Sequence, residues 1–196
     1  MGNGKEDRRV LLAIAISAVI IASALIYSIA VPRASNQYFS LWILDQNRMA
    51  PQRMMNVTVG QSYTIYLGSQ NKMGKSENCI LMVKLRNTTQ PVPITSNATP
   101  SGLPTIDSYS FSLENGDQWE KQFNFTIFGG FSNNSFMIQQ ITINNSSVSP
   151  GLQINWDTVN NGFNFQFIYE LWFLEDSGGP YFSGVWVSSP FLNVTQ

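Results

Sequence analysis

From about Ser35 onward, apolar and polar residues exchange places at every second position, in short runs bounded by Gly, Asn, Pro and Ser. A period of two marks an extended strand with one face turned to a core. The runs predict strands at about 36–44, 55–59, 62–70, 79–87, 107–114, 119–128, 135–144, 164–174 and 181–195. Gly60, Gly74, Asn115-Gly116, Gly129-Gly130 and Ser177-Gly178-Gly179-Pro180 supply the turns between them, each able to stop a strand or take a positive φ. No segment here sustains a helical period. The prediction is a mainly β domain over residues 35–196, an immunoglobulin-like antiparallel β-sandwich.

The inward rows can be named. Tyr63, Ile65 and Leu67 form one row, and Cys79, Leu81, Val83 and Leu85 another, with Lys84 and Arg86 on the solvent side. Trp119, Phe123, Phe125 and Ile127 form a third. Each such side chain stabilises the fold by about 1.5–3 kcal/mol when buried. The stretch 88–106, rich in Pro, Thr and Ser, reads as a long surface loop. The segment from Phe163 to Phe173 breaks the simple pattern. Phe163, Phe165, Phe167, Tyr169, Leu171 and Phe173 make an inner row, yet Ile168, Trp172 and Leu174 add apolar residues to the other face. With Phe182 and Trp186 on the returning strand they form a second apolar row. That row is either covered by another part of the chain or exposed as a docking patch, which makes these five residues the interface candidates.

The N-terminus follows a different rule. Residues 10–31 carry no charge, and as a helix they would extend about 33 Å, enough for a bilayer core of about 30 Å. Lys5, Arg8 and Arg9 precede the stretch and only Arg33 lies close beyond it. That asymmetry assigns residues 1–9 to a cytoplasmic stub, 10–31 to one transmembrane signal-anchor helix, and the rest to the outside of the cell membrane. A cleaved signal peptide is the rival, with Ser28-Ile29-Ala30 as its cleavage triplet, although the apolar run is longer than such signals need.

Composition narrows the chemistry. There are 11 Lys+Arg against 12 Asp+Glu and no histidine. No basic excess marks a nucleic-acid binder, and the commonest general base is missing. The lone Cys79 has no disulfide partner and, on the buried side of its strand, reads as an apolar filler. Asp45, Asp157, Glu170, Glu175 and Asp176 are the carboxylates to weigh, but none sits in a calcium-loop pattern or a local acid pair. No Ser-x-x-Lys accompanies the candidate loops. The expectation is a protein with no catalytic residues, no metal and no cofactor.

Asn-x-Ser/Thr occurs at Asn56, Asn87, Asn97, Asn124, Asn133, Asn144, Asn145 and Asn193, all beyond the apolar stretch. These are candidates for N-linked glycans. Five tryptophans add a carbohydrate-binding alternative, with Trp172 and Trp186 as its platform.

The phrases "YFSLWILDQ", "NVTVGQSYTIYL", "NKMG" and "YELWFLEDSGG", spread over about residues 38–187, resemble archaeal membrane proteins grouped as domain of unknown function 1616. The resemblance implies a membrane anchor and an extracytoplasmic sandwich, with no established activity. A histidine usual in that family's turn is replaced here by Lys72, in Asn71-Lys72-Met73, so nothing is carried over from it. The expected function is non-catalytic: an accessory or assembly subunit contacting a membrane complex or cell-surface component by protein–protein interaction. The alternatives are a surface carbohydrate-binding module and a filament or adhesion subunit.

Overall fold

The computed structural model describes residues 14–23, 25–27, 37–175 and 178–195. Residues 14–23 and 25–27 are helical. The stub at 1–9 and the remainder of the expected 10–31 span lie outside the described residues. Among those described, no helix is long and apolar enough to cross a membrane. The chain divides into two units, 1–37 and 38–196, and the second holds all the strands among the described residues.

Twelve strands are assigned among the described residues: β1 Tyr38–Leu44, β2 Met54–Thr58, β3 Ser62–Lys72, β4 Glu77–Asn87, β5 Thr105–Leu113, β6 Gln118–Ser132, β7 Ser135–Ile143, β8 Ser146–Val148, β9 Leu152–Asn155, β10 Asn164–Leu174, β11 Pro180–Ser188 and β12 Phe191–Thr195. They form two sheets of six. The first runs β1-β3-β6-β7, with β8 and β9 side by side on the far edge of β7. The second runs β2-β12-β10-β4-β5, with β11 preceding β12 along the same edge of β10. All pairings are antiparallel except β2 with β12.

The sheets pack face to face through the predicted rows. Phe123 of the first sheet meets Phe167 and Tyr169 of the second edge-on, with centroids 5.2 and 5.6 Å apart. Phe125 meets Phe167 at 5.0 Å, and Phe39 meets Phe173 at 5.4 Å. Such tilted pairs are the favoured aromatic geometry and add to the burial of their large surfaces. Leu81, Val83, Ile127, Phe165 and Leu171 complete a β-sandwich core.

Several expectations are corrected. The strand expected at 181–195 is two, because Ser189 and Pro190 interrupt it. The Ser189 hydroxyl accepts the Phe167 N–H at 3.0 Å, and proline has no N–H to continue a ladder. The short β8 and β9 were not expected, being too brief to show a period. Trp119 is half-buried at the sandwich edge, stacked on Phe111 of β5 at 4.3 Å. Lys84, expected in solvent, is only 4% exposed.

Candidate functional site: a covered face and an open strand edge

The second apolar row of β10 is covered by its own domain. The loop between β4 and β5, containing a short 3-10 turn at Thr95–Asn97, lies over the outer face of the second sheet. The Ser101 N–H and hydroxyl both donate to Glu170 Oε1, at 2.9 and 2.6 Å. The Trp186 indole N–H donates to Thr95 Oγ1 at 3.1 Å. A Cβ added to Gly184 would meet the Thr95 carbonyl and Ala98, so loop and strand are in close contact.

Of the five interface candidates, Ile168 and Phe182 are therefore buried within the domain and offer no free surface. Trp172 and Trp186 are half-buried, and Leu174 alone is exposed, at 37%. Trp172 tilts against Phe182 with centroids 5.8 Å apart and donates its indole N–H to Glu170 Oε2.

Beneath the loop lies an ion pair. Lys84 Nζ is 2.7 Å from Glu170 Oε2, with both side chains almost wholly buried. Burial pushes the Glu170 carboxyl up, but Lys84 and the two Ser101 donors outweigh it and hold the carboxyl below its ordinary range. Lys84 Nζ also reaches Ser101 Oγ at 3.4 Å, a serine–lysine proximity that sequence spacing did not reveal. Its chemistry is that of a clamp. Lys84 Nζ donates to the serine oxygen, and the serine's own proton points to Glu170. The only sequence signal was a charged residue, Glu170, set between apolar Ile168 and Trp172.

The other carboxylates serve turns. Asp45 Oδ1 accepts the N–H groups of Asn47 and Met49, and Asp157 accepts from Val159 and Asn160. Glu175 is exposed at the β10–β11 hairpin, and Asp176 lies outside the described residues. Among the described residues, no three Asp, Glu, Cys or His side chains converge as a metal set would.

The eight sequons fall into three settings. Asn97, Asn133 and Asn145 are exposed on turns. Asn56 and Asn124 lie within strands β2 and β6. Asn87, Asn144 and Asn193 spend their side-chain N–H groups on other residues of the domain. They donate to the Gln153 carbonyl, the Tyr109 hydroxyl and Asn56 Oδ1 respectively.

An open edge remains on the opposite margin of the sandwich. β1 pairs with β3 only as far as Leu44 opposite Tyr66, after which the chain turns away. Ser62–Ile65 of β3 thus pair with β6 on one side and with no described strand on the other. The Asn144 N–H bonds the Asn124 carbonyl, so the backbone of Asn124 faces β7. Its neighbours Phe125 and Phe123 therefore bond Tyr63 and Ile65, which leaves Ser62 and Thr64 pointing outward.

In the second sheet β2 pairs only with β12. The Arg53 carbonyl and the Val59 N–H bond the β12 side, which turns Met54 and Asn56 outward. These two edges line one groove of about 480 Å³. Its apolar floor is Met55, Tyr63 and Ile65, and its rims carry Asn56, Ser62 and Thr64. The 45–52 link and Pro190 close one end. A Thr58 N–H to Tyr63 hydroxyl bond of 2.7 Å closes the other.

Paired strands lie about 4.8 Å apart in the plane of their sheet, so an added strand would extend one of these edges and lie alongside the other. The groove was invisible in sequence because nothing in 54–65 announces which edges stay open. No protein-family model matches the chain, and no curated protein matches it either.

Proposed function

We propose that this chain is a single-pass membrane protein whose immunoglobulin-like sandwich, held outside the cell by residues 10–31, docks an extended segment of a protein partner. The observation that carries this is the groove between β2 and β3. It offers backbone donors and acceptors on Met54, Asn56, Ser62 and Thr64, unpaired among the described residues, above the apolar floor. That combination suits strand addition, in which main-chain hydrogen bonds give affinity and alternate side chains give specificity. The role is non-catalytic, that of an accessory or assembly subunit in a membrane complex or surface layer. The charge asymmetry around residues 10–31 supports the anchor, and the motif resemblance to domain of unknown function 1616 fits the same topology.

The carbohydrate alternative draws less support. Trp172 and Trp186 are half-buried and hold their indole N–H groups on Glu170 and Thr95, so neither presents a flat open platform.

A photo-crosslinking amino acid at Ser62 or Asn56 of the full chain, on intact membranes, tests the docking edge. The expected result is a discrete protein adduct from both positions and none from Gln140, on the exposed part of β7. Thr64→Pro removes the outward N–H together with the hydroxyl bond to Asn124 and should abolish the adduct, whereas Thr64→Ala, which loses that hydroxyl bond alone, should keep it. Equal adducts from Gln140, or adducts unchanged by Thr64→Pro, would refute it. Protease added to intact cells should digest the domain, and full protection would refute the outward orientation. Retention on a glycan array that is lost with Trp172→Ala and Trp186→Ala would favour the carbohydrate alternative.

A further inference from the structure

We infer that Asn97, Asn133 and Asn145 are the N-glycan acceptor sites of this chain, and that Asn87, Asn144 and Asn193 are closed to modification by the fold. The inference rests on the outward-facing reading above for its biological setting, but its geometry stands on the side chains alone. In the reaction a bond forms between the Asn side-chain nitrogen and the anomeric carbon of a lipid-phosphate-linked oligosaccharide. The bond from that carbon to phosphate oxygen breaks, the nitrogen loses one proton to a base, and the lipid phosphate leaves. The nitrogen must therefore be reachable and not already spent within the fold, which is why acceptors belong on surface loops.

Only three of the eight asparagines are both exposed and set on turns. Asn97 ends the exposed 3-10 turn over the second sheet, just before Ala98 at φ 48°. Asn133 occupies the β6–β7 turn at φ 48°, and Asn145 the β7–β8 turn at φ 74°. None of the three side chains is engaged in a hydrogen bond with a described residue, and all three residues are exposed.

The adjacent Asn144 is the informative contrast, because sequence gives it an equally good sequon. Its Oδ1 accepts the Asn124 N–H at 2.9 Å, while its nitrogen donates to the Tyr109 hydroxyl at 2.8 Å. It thus bridges the first sheet to β5 of the second. Asn193 is held likewise between the Phe163 N–H and Asn56, and a Cβ on Gly162 would already lie 2.1 Å from its Oδ1. Asn87 Oδ1 takes the Thr89 and Gln90 N–H groups while its nitrogen serves Gln153. Asn56 and Asn124 are fixed in extended ladders.

The test offers the full chain in detergent, folded or urea-unfolded, to an oligosaccharyltransferase with a lipid-diphosphate-linked oligosaccharide. Site occupancy is read by fragmentation of intact glycopeptides. The folded chain should be modified at Asn97, Asn133 and Asn145, and the unfolded chain also at Asn144 and Asn87. Thr99→Ala, Ser135→Ala and Ser147→Ala each destroy one sequon while keeping its asparagine, and each should remove one glycan mass. Occupancy of Asn87, Asn144 or Asn193 in the folded chain, or absence from the three turns, overturns the assignment. Chain taken from its own membranes without any glycan, yet modified as expected in vitro, overturns the outward reading and leaves the acceptor geometry intact.

Discussion

Lys84 and Glu170 face each other at 2.7 Å across neighbouring strands, on what would be the solvent side of the second sheet. The β4–β5 loop closes over them and supplies Ser101 as a third partner. Removing one member strands the other charge in a buried site, which costs about 3–5 kcal/mol. Glu170→Gln should therefore destabilise the domain by an amount in that range in urea titrations. The paired change Lys84→Met with Glu170→Leu should cost much less, because no charge is left behind. The same pair predicts acid sensitivity. The folded Glu170 carboxyl lies below its unfolded value of about 4.3, so its stabilisation is complete above that pH and is lost as pH falls through the lower folded value. Glu170→Gln should flatten this part of the stability–pH curve.

Tyr169 presents the opposite situation. It is fully buried between the sheets, and its hydroxyl has no hydrogen-bond partner among the described residues. An unsatisfied buried polar group costs about 1–3 kcal/mol. Tyr169→Phe keeps the ring contacts with Phe123 and Phe167 and should stabilise the domain by about 1 kcal/mol. In a domain of this size that corresponds to a rise of about 2–4 °C in calorimetric Tm.

Trp42 of β1 packs its indole over Gly68, its cross-strand partner in β3. A Cβ at Gly68 would lie 2.1 Å from the ring. Gly68→Ala should cost about 1–3 kcal/mol by overpacking. Gly130→Ala, where nothing stands within 4 Å, is the control and should leave the urea midpoint nearly unchanged.

Cys79 is buried in β4, and desolvation, aided by Glu77, pushes its thiol up to about 12. Thiolate is the reactive form. Alkylation by iodoacetamide at neutral pH should therefore be negligible in the folded domain and should follow global unfolding as urea is added.

The rows that build the core were legible because burial on one face imposes a period of two on each strand separately. Phe123, Phe125, Phe167 and Leu81 are inward wherever their strands lie. The covered face was not legible, because it depends on partners distant in the chain: Ser101 and Glu170 stand 69 residues apart. Polar loop composition hid a covering role, and Lys84 looked like any solvent-facing lysine. The sequons were visible as tripeptides, but Asn144 and Asn145 differ only in what their side chains meet. Open edges are likewise a property of pairing, not of composition.

The parallel pairing of β2 with β12 carries a consequence for biogenesis. Asn56 and Asn193, opposed in that ladder, are separated by 137 residues. As the chain emerges, β2 must wait for nearly the whole domain before its ladder can form. Non-local pairing of this kind makes folding slow and leaves strand edges exposed meanwhile. The sandwich is thus fastened only once β12 is made, and disrupting β12 would release β2 from its ladder.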